Sequence, residues 1–162
     1  MSNQTTVTAE AGSPIITIER IFDAPREKVF RVFSDAALVA RWWSPNGTAT
    51  VEALDFREGG RWHFSGTGDQ TISFHGFFHE ITAPERFVQT SEFDNLEAMI
   101  GERGHTVLAK YEFLPTEDGR TRLVTTEMYM STEDRDMAVQ SDMESGVVRA
   151  YQSVDSILKG ME

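Results

Sequence analysis

The sequence predicts an α+β domain in which a curved antiparallel sheet of about six to seven strands wraps a long C-terminal helix. Three observations predict it. Residues 51–130 alternate apolar and polar positions in short runs, the period of half-buried strands. Turn chemistry separates these runs, at Glu58-Gly59-Gly60, Thr82-Ala83-Pro84-Glu85 and Asp118-Gly119. Beyond Ser131 the period changes: Met143, Val147, Ala150, Tyr151, Val154 and Leu158 form one apolar stripe. A helix that is apolar on one side must cover something, and the sheet is the partner available.

Each element follows in order. Residues 1–14 have no period and read as a disordered leader, which leaves 15–162 as a single domain. Ile16, Ile18, Arg20 and Phe22 alternate as a first strand. Asp23 is an expected N-cap and Pro25 suits a first helical turn, ahead of an apolar face made by Val29, Phe30, Val32 and Phe33. Ser34-Asp35 caps a second short helix carrying Leu38, Val39, Trp42 and Trp43. Strands are expected at Val51–Phe56, Arg61–Ser65, Thr71–Ile81, Arg86–Phe93, Val107–Leu114 and Thr121–Met130. Ser131 then N-caps one helix of about seven turns, with Glu133 and Asp134 placed where its dipole favours acids.

Composition narrows the function. The 162 residues include no cysteine, which removes disulfide scaffolds, cysteine nucleophiles and thiolate metal sites. No apolar run approaches the ~20 residues of a membrane span, and the polar N-terminus lacks signal-peptide features, so the expected compartment is the cytoplasm. The 26 acids against 15 bases give a net charge of −11. Such a chain repels phosphate backbones and anionic lipid, so neither nucleic acid nor membrane is expected as a partner. The acids are scattered, as solubility requires, and form no tail.

The chain resembles a known family through several blocks. Ile18-x-Arg20-x-Phe22-Asp23-Ala24-Pro25 opens the resemblance, and Leu38-x-x-Arg41-Trp42-Trp43-x-Pro45 continues it. Asp55-x-Arg57-x-Gly59-Gly60-x-Trp62-x-Phe64, His75-Gly76-x-Phe78-x-Glu80-Ile81, Pro84-Glu85-Arg86 and Gly119-x-Thr121-Arg122-Leu123 follow in order. Met143-Glu144-x-Gly146-Val147, Tyr151, Val154 and Leu158 close it. Together they resemble the C-terminal-domain-like family of the activator of the heat-shock-protein-90 ATPase, within the START-like (SRPBCC) superfamily. The resemblance implies a helix-grip fold with a cavity between sheet and C-terminal helix. Relatives bind apolar molecules there, and a few catalyse cyclisation or hydrolysis. The co-chaperone's separate chaperone-docking domain has no counterpart in the expected leader, so a chaperone partner is not expected. Val147 stands where many relatives carry Trp.

Eleven Phe, three Trp and three Tyr supply either a bulky core or a lined apolar pocket. Alternation places Trp62 and Phe64 on the inner face, with Arg61 and His63 on the other. The residues expected to line a ligand pocket are Trp43, Trp62, Phe64, Phe78 and Phe93 on the aromatic side. Tyr111, Glu127, Met143, Val147 and Tyr151 complete the lining. Glu127 shares a face with Leu123 and Thr125, so it points inward if Leu123 does; a rim position or a partner such as an Arg is the alternative. Mid-helix Gly146 implies close approach to a large sheet residue or room for a ligand. Residues 94–104 lack a period and suit either a lid or a surface excursion.

His75 and His79 have zinc spacing for a helix, but a strand separates them by roughly 13 Å. No metal and no cofactor are expected, and no catalytic residue is assigned: there is no nucleophile elbow and no phosphate loop. The expected partner is an apolar or amphipathic small molecule, with a homodimer left open. The alternatives are an enzyme of the same fold using Glu127 or His75 as an acid–base group, or a co-chaperone-like interaction module.

Overall fold

The computed structural model describes residues 3–44, 49–66, 72–94 and 105–161. The elements are β1 (Thr6–Thr8), β2 (Ile15–Phe22), α1 (Arg26–Ser34), α2 (Ala36–Trp42), β3 (Ala49–Leu54), β4 (Arg61–Gly66), β5 (Ile72–Thr82) and β6 (Arg86–Phe93). They continue with β7 (Val107–Pro115), β8 (Thr121–Met128), α3 (Thr132–Gln140) and α4 (Met143–Lys159). The strands form one antiparallel sheet ordered β1-β2-β8-β7-β6-β5-β4-β3. From β3 to β8 it is a meander, and β2 joins it by pairing with β8. Irregularities in register at Val51/Ala53 and Phe78/Glu80 bend the ribbon, as bulges do. This is the helix-grip architecture, with one strand more than the upper expectation.

The extra strand lies in the segment expected to be a disordered leader. Thr6–Thr8 pairs with Thr17–Glu19 of β2, and Thr5 accepts a hydrogen bond from Arg20. Backbone pairing holds a polar segment whose side chains carry no hydrophobic period. A second difference concerns the terminal helix, which is two helices rather than one. Asp142 adopts a left-handed conformation (φ 61°), which no α-helix continues through. Asp is among the residues that tolerate it, and the apolar stripe begins immediately after the break. Gly146 therefore sits in the first turn of α4 rather than mid-helix.

Local capping is partly as expected. The Asp35 carboxylate accepts from the amides of Ala37 and Leu38, and Ser131 accepts from Asp134. Asp23 caps nothing: the α1 N-cap is Pro25, and Asp23 instead accepts from Asn3 and pairs with Arg120 at 3.2 Å.

The inner face of the sheet meets α1, α2 and α4. Ile16, Ile18 and Phe22 of β2, Leu123 of β8 and Phe113 of β7 are buried beside Val154, Ile157 and Leu158 of α4. Rings interlock at their edges, as at Phe30–Phe113 (5.1 Å) and Phe22–Tyr151 (5.4 Å). One inward position of β2 is charged. Arg20 forms an ion pair with Asp155 of α4, tying the first strands to the terminal helix.

Candidate functional site

Glu127 is the centre of the inner-face polar group. Its neighbour two residues back, Thr125, is buried beside Leu123, so alternation turns Glu127 inward as well. In register it lies between Ile16 of β2 and Ala109 of β7, both buried. The surrounding apolar groups deprive its carboxyl of water, and this burial raises its pKa. The Tyr129 hydroxyl donates to Oε1 at 3.1 Å and offsets part of that rise. Among the described residues no basic side chain pairs with it.

Three phenols lie near enough to this carboxyl to feel its charge, and Tyr129 touches it. Tyr111, in register with Thr125, stacks on Phe87 with ring centroids 4.6 Å apart. Tyr151 comes from α4 and packs against Phe22, Phe33 and Trp42. Burial raises the pKa of all three phenols, Tyr111, Tyr129 and Tyr151, and the Glu127 charge adds to the effect. They are neutral hydroxyls that can donate or accept. Thr125 adds a further polar atom. Its Oγ1 is buried and closes no hydrogen bond of good geometry, although the Tyr151 hydroxyl lies near enough to feel it.

The expected aromatic lining separates into two groups. Trp43 meets Phe64 at 5.6 Å and Phe74 at 5.8 Å, Trp62 meets Phe64 at 4.8 Å, and Phe74 meets Phe93 at 5.1 Å. Phe78 belongs elsewhere, buried in an edge-packed set with Phe56 and Phe87. Met143 and Val147 are partly buried on α4 and pack against the core. Phe77 points to the other face and is half exposed. Residues 95–104, which include most of the expected lid, lie outside the described residues.

Alternation was sufficient to find Thr125, but Tyr129 lies just past the end of β8, where no period reaches it. Phe33 and Phe74 were legible as apolar positions without a reason to choose them over other rings.

The outer face carries a different set. His63 Nδ1 lies 2.7 Å from Glu52 and its Nε2 2.6 Å from Asp94. His75 contacts the other oxygen of Asp94 through Nδ1, and Ser73 donates to Asp94 at 2.6 Å. Burial disfavours the Asp94 charge, but the hydrogen bonds from Ser73, His75 and His63 outweigh it and hold its pKa below the usual range. His75 is thus on the outer face with its carboxylate partners, away from Glu127. Among the described residues no three His, Asp or Glu side chains are arranged to hold a metal ion, and no helix is long and apolar enough to cross a membrane.

Comparison with known proteins agrees with this architecture. Solved structures with the same fold include protein Ms6760 from Mycobacterium smegmatis, at 22% identity and a TM-score of 0.85, covering 98% of this chain and 100% of that one. A solution structure from Arthrobacter aurescens matches at 24% identity and a TM-score of 0.82, over 96% and 92% of the two chains. An HSP90 activator from Plasmodium falciparum matches at 23% identity and a TM-score of 0.56, over 72% and 73%. No curated protein matches in sequence. The family described as activator of Hsp90 ATPase homolog 1-like protein matches residues 23–159, and the chain belongs to that family.

Proposed function

We propose that this domain binds a small apolar or amphipathic molecule between its sheet and α4, with Glu127 at the polar end of the site. The observation that carries the reading is a partly buried, inward-facing carboxyl without a basic partner among the described residues, near three neutral phenols and a buried Thr125 hydroxyl that closes no hydrogen bond of good geometry. A domain that needed only stability would place an apolar residue there, because burying an acid without a cation is costly. Trp43, Trp62, Phe64 and Phe93 line one flank of the site, and Tyr111, Met143, Val147 and Tyr151 line the flank nearer Glu127. Phe78 supports the wall from within the core. The compartment is the cytoplasm, consistent with a cysteine-free acidic chain.

A neutral naphthylamine dye tests the proposal. Saturable fluorescence enhancement at one site per folded chain is the expected result. Enhancement that appears only on unfolding would mean that the interior is a filled core.

A second reading comes from the family and from the HSP90 activator among the structural relatives. It is a co-chaperone-like interaction, tested by binding to purified HSP90.

A further inference from the structure

Among the described residues two guanidinium groups are buried, and each already has its own acid. Arg20 pairs with Asp155 and also donates to Thr5. Arg135 pairs with Asp136 at 2.9 Å and donates to the Ile15 carbonyl at 3.2 Å. Glu127 is left with the Tyr129 hydroxyl alone among the described residues. Among the described residues, Glu127 is thus an inward-facing carboxyl with no cation paired to it.

We propose that the molecule bound at this site carries a protonated amine on an apolar body, and that the ammonium pairs with Glu127. The proposal rests on the small-molecule reading above and names the ligand class. An ammonium has three donors, which the Glu127 carboxylate and the Thr125 and phenol oxygens can accept. The ring faces of Tyr111 and Tyr151 attract a cation as well, and more strongly where water is excluded. An anionic head would meet Glu127 as a like charge. A neutral hydroxyl would satisfy hydrogen bonds while leaving the charge uncompensated.

Three probes of matched length separate these cases: n-octylamine, n-octanol and octanoate, titrated by calorimetry into the full chain at pH 7 and about 0.15 M salt, where exposed charges are screened. The phenols Tyr111, Tyr129 and Tyr151 near Glu127 stay neutral at this pH because burial raises their pKa values, and the Arg135 guanidinium lies near Tyr129. Octylamine is expected to bind one site at least about tenfold more tightly than octanol, the worth of a charge-assisted hydrogen bond. Octanoate is expected to be the weakest. In Glu127→Gln, checked for folding by its melting curve, the amine advantage over octanol disappears while octanol binding remains. A second readout is the dependence of the octylamine heat on buffer ionisation enthalpy, which reports protons released from Glu127 as the cation enters. Equal affinities for amine and alcohol, or an amine advantage that survives Glu127→Gln, would overturn the ammonium proposal alone. Failure of all three probes to bind would overturn the small-molecule reading and this proposal with it.

Discussion

The indole of Trp62 lies against Gly76, its cross-strand partner, and reaches past it to donate to the Thr90 carbonyl at 3.0 Å. Gly76 has no side chain because three strands converge on it. A Cβ there would fall 1.8 Å from the Thr90 carbonyl oxygen and 2.7 Å from Trp62 Nε1. The glycine thus lets β4, β5 and β6 be joined by one buried aromatic side chain. It also positions the Trp62 ring beside Phe64.

Gly76→Ala is therefore expected to destabilise the fold severely, since a backbone carbonyl cannot rotate away as a side chain can. Overpacking alone costs about 1–3 kcal/mol, and loss of the indole hydrogen bond adds about 1 kcal/mol. Chemical denaturation would show this as a lowered midpoint. A midpoint equal to wild type would mean that β6 shifts freely at Thr90.

Glu127→Gln should stabilise the ligand-free protein at neutral pH. Burial raises the Glu127 pKa, so the folded state holds its proton more tightly than the unfolded chain does. The wild type therefore loses stability as pH rises from about 4.3, the usual value, through the raised one. The amide can still accept from Tyr129 and carries no charge. A Tm rise of roughly 2–4 °C per kcal/mol is expected at pH 7, closing below pH ~4. A variant less stable than wild type at pH 7 would mean that the carboxylate is compensated by a cation.

The elements that set this site were unequally legible. The inward direction of Glu127 followed from Leu123 and strand period, because a strand buried on one face constrains every second residue. The stripe of α4 was legible for the same kind of reason. Its start was not, since the left-handed turn at Asp142 depends on one backbone angle and leaves no apolar signature. β1 was invisible because pairing by main-chain atoms does not require a side-chain period. Gly76 was recognisable as part of a family block, but its contact with Trp62 joins residues on neighbouring strands. The His63–Asp94–His75 cluster was missed for that same reason: Glu52, His63 and the pair Ser73 and His75 come from β3, β4 and β5, and Asp94 follows the end of β6.

On that outer face, Asp94→Asn should lower stability at pH 7 by about 1.5–3 kcal/mol, the range for hydrogen bonds to a charged group. The sign follows from the depressed pKa of Asp94. Its stabilisation is present above the unfolded value of about 3.9 and is lost as pH falls through the lower folded value. Wild type and variant should therefore converge in acid. Melting curves between pH 3 and 7 that run parallel would show that the carboxylate contributes no charge-dependent stability.

Val147 offers the most direct test of space beneath α4. It is partly buried, packs against the core and lies one turn before Ala150 and Tyr151 on the same helix. If the site is open beneath it, Val147→Trp adds buried apolar area at roughly 25 cal/mol per Å² and stabilises the protein. The added ring also occupies the volume a ligand needs, so dye and octylamine binding should weaken in the same variant. A helix packed tightly on the sheet predicts the opposite, an overpacking cost of about 1–3 kcal/mol. The Glu127 arrangement favours the open site, because a carboxyl and three phenols grouped on the inner face leave polar edges that close packing would not tolerate. The expected result is a higher Tm together with weaker probe binding. A lower Tm with unchanged binding would move the ligand away from Val147, toward the Trp43–Phe64 end of the sheet.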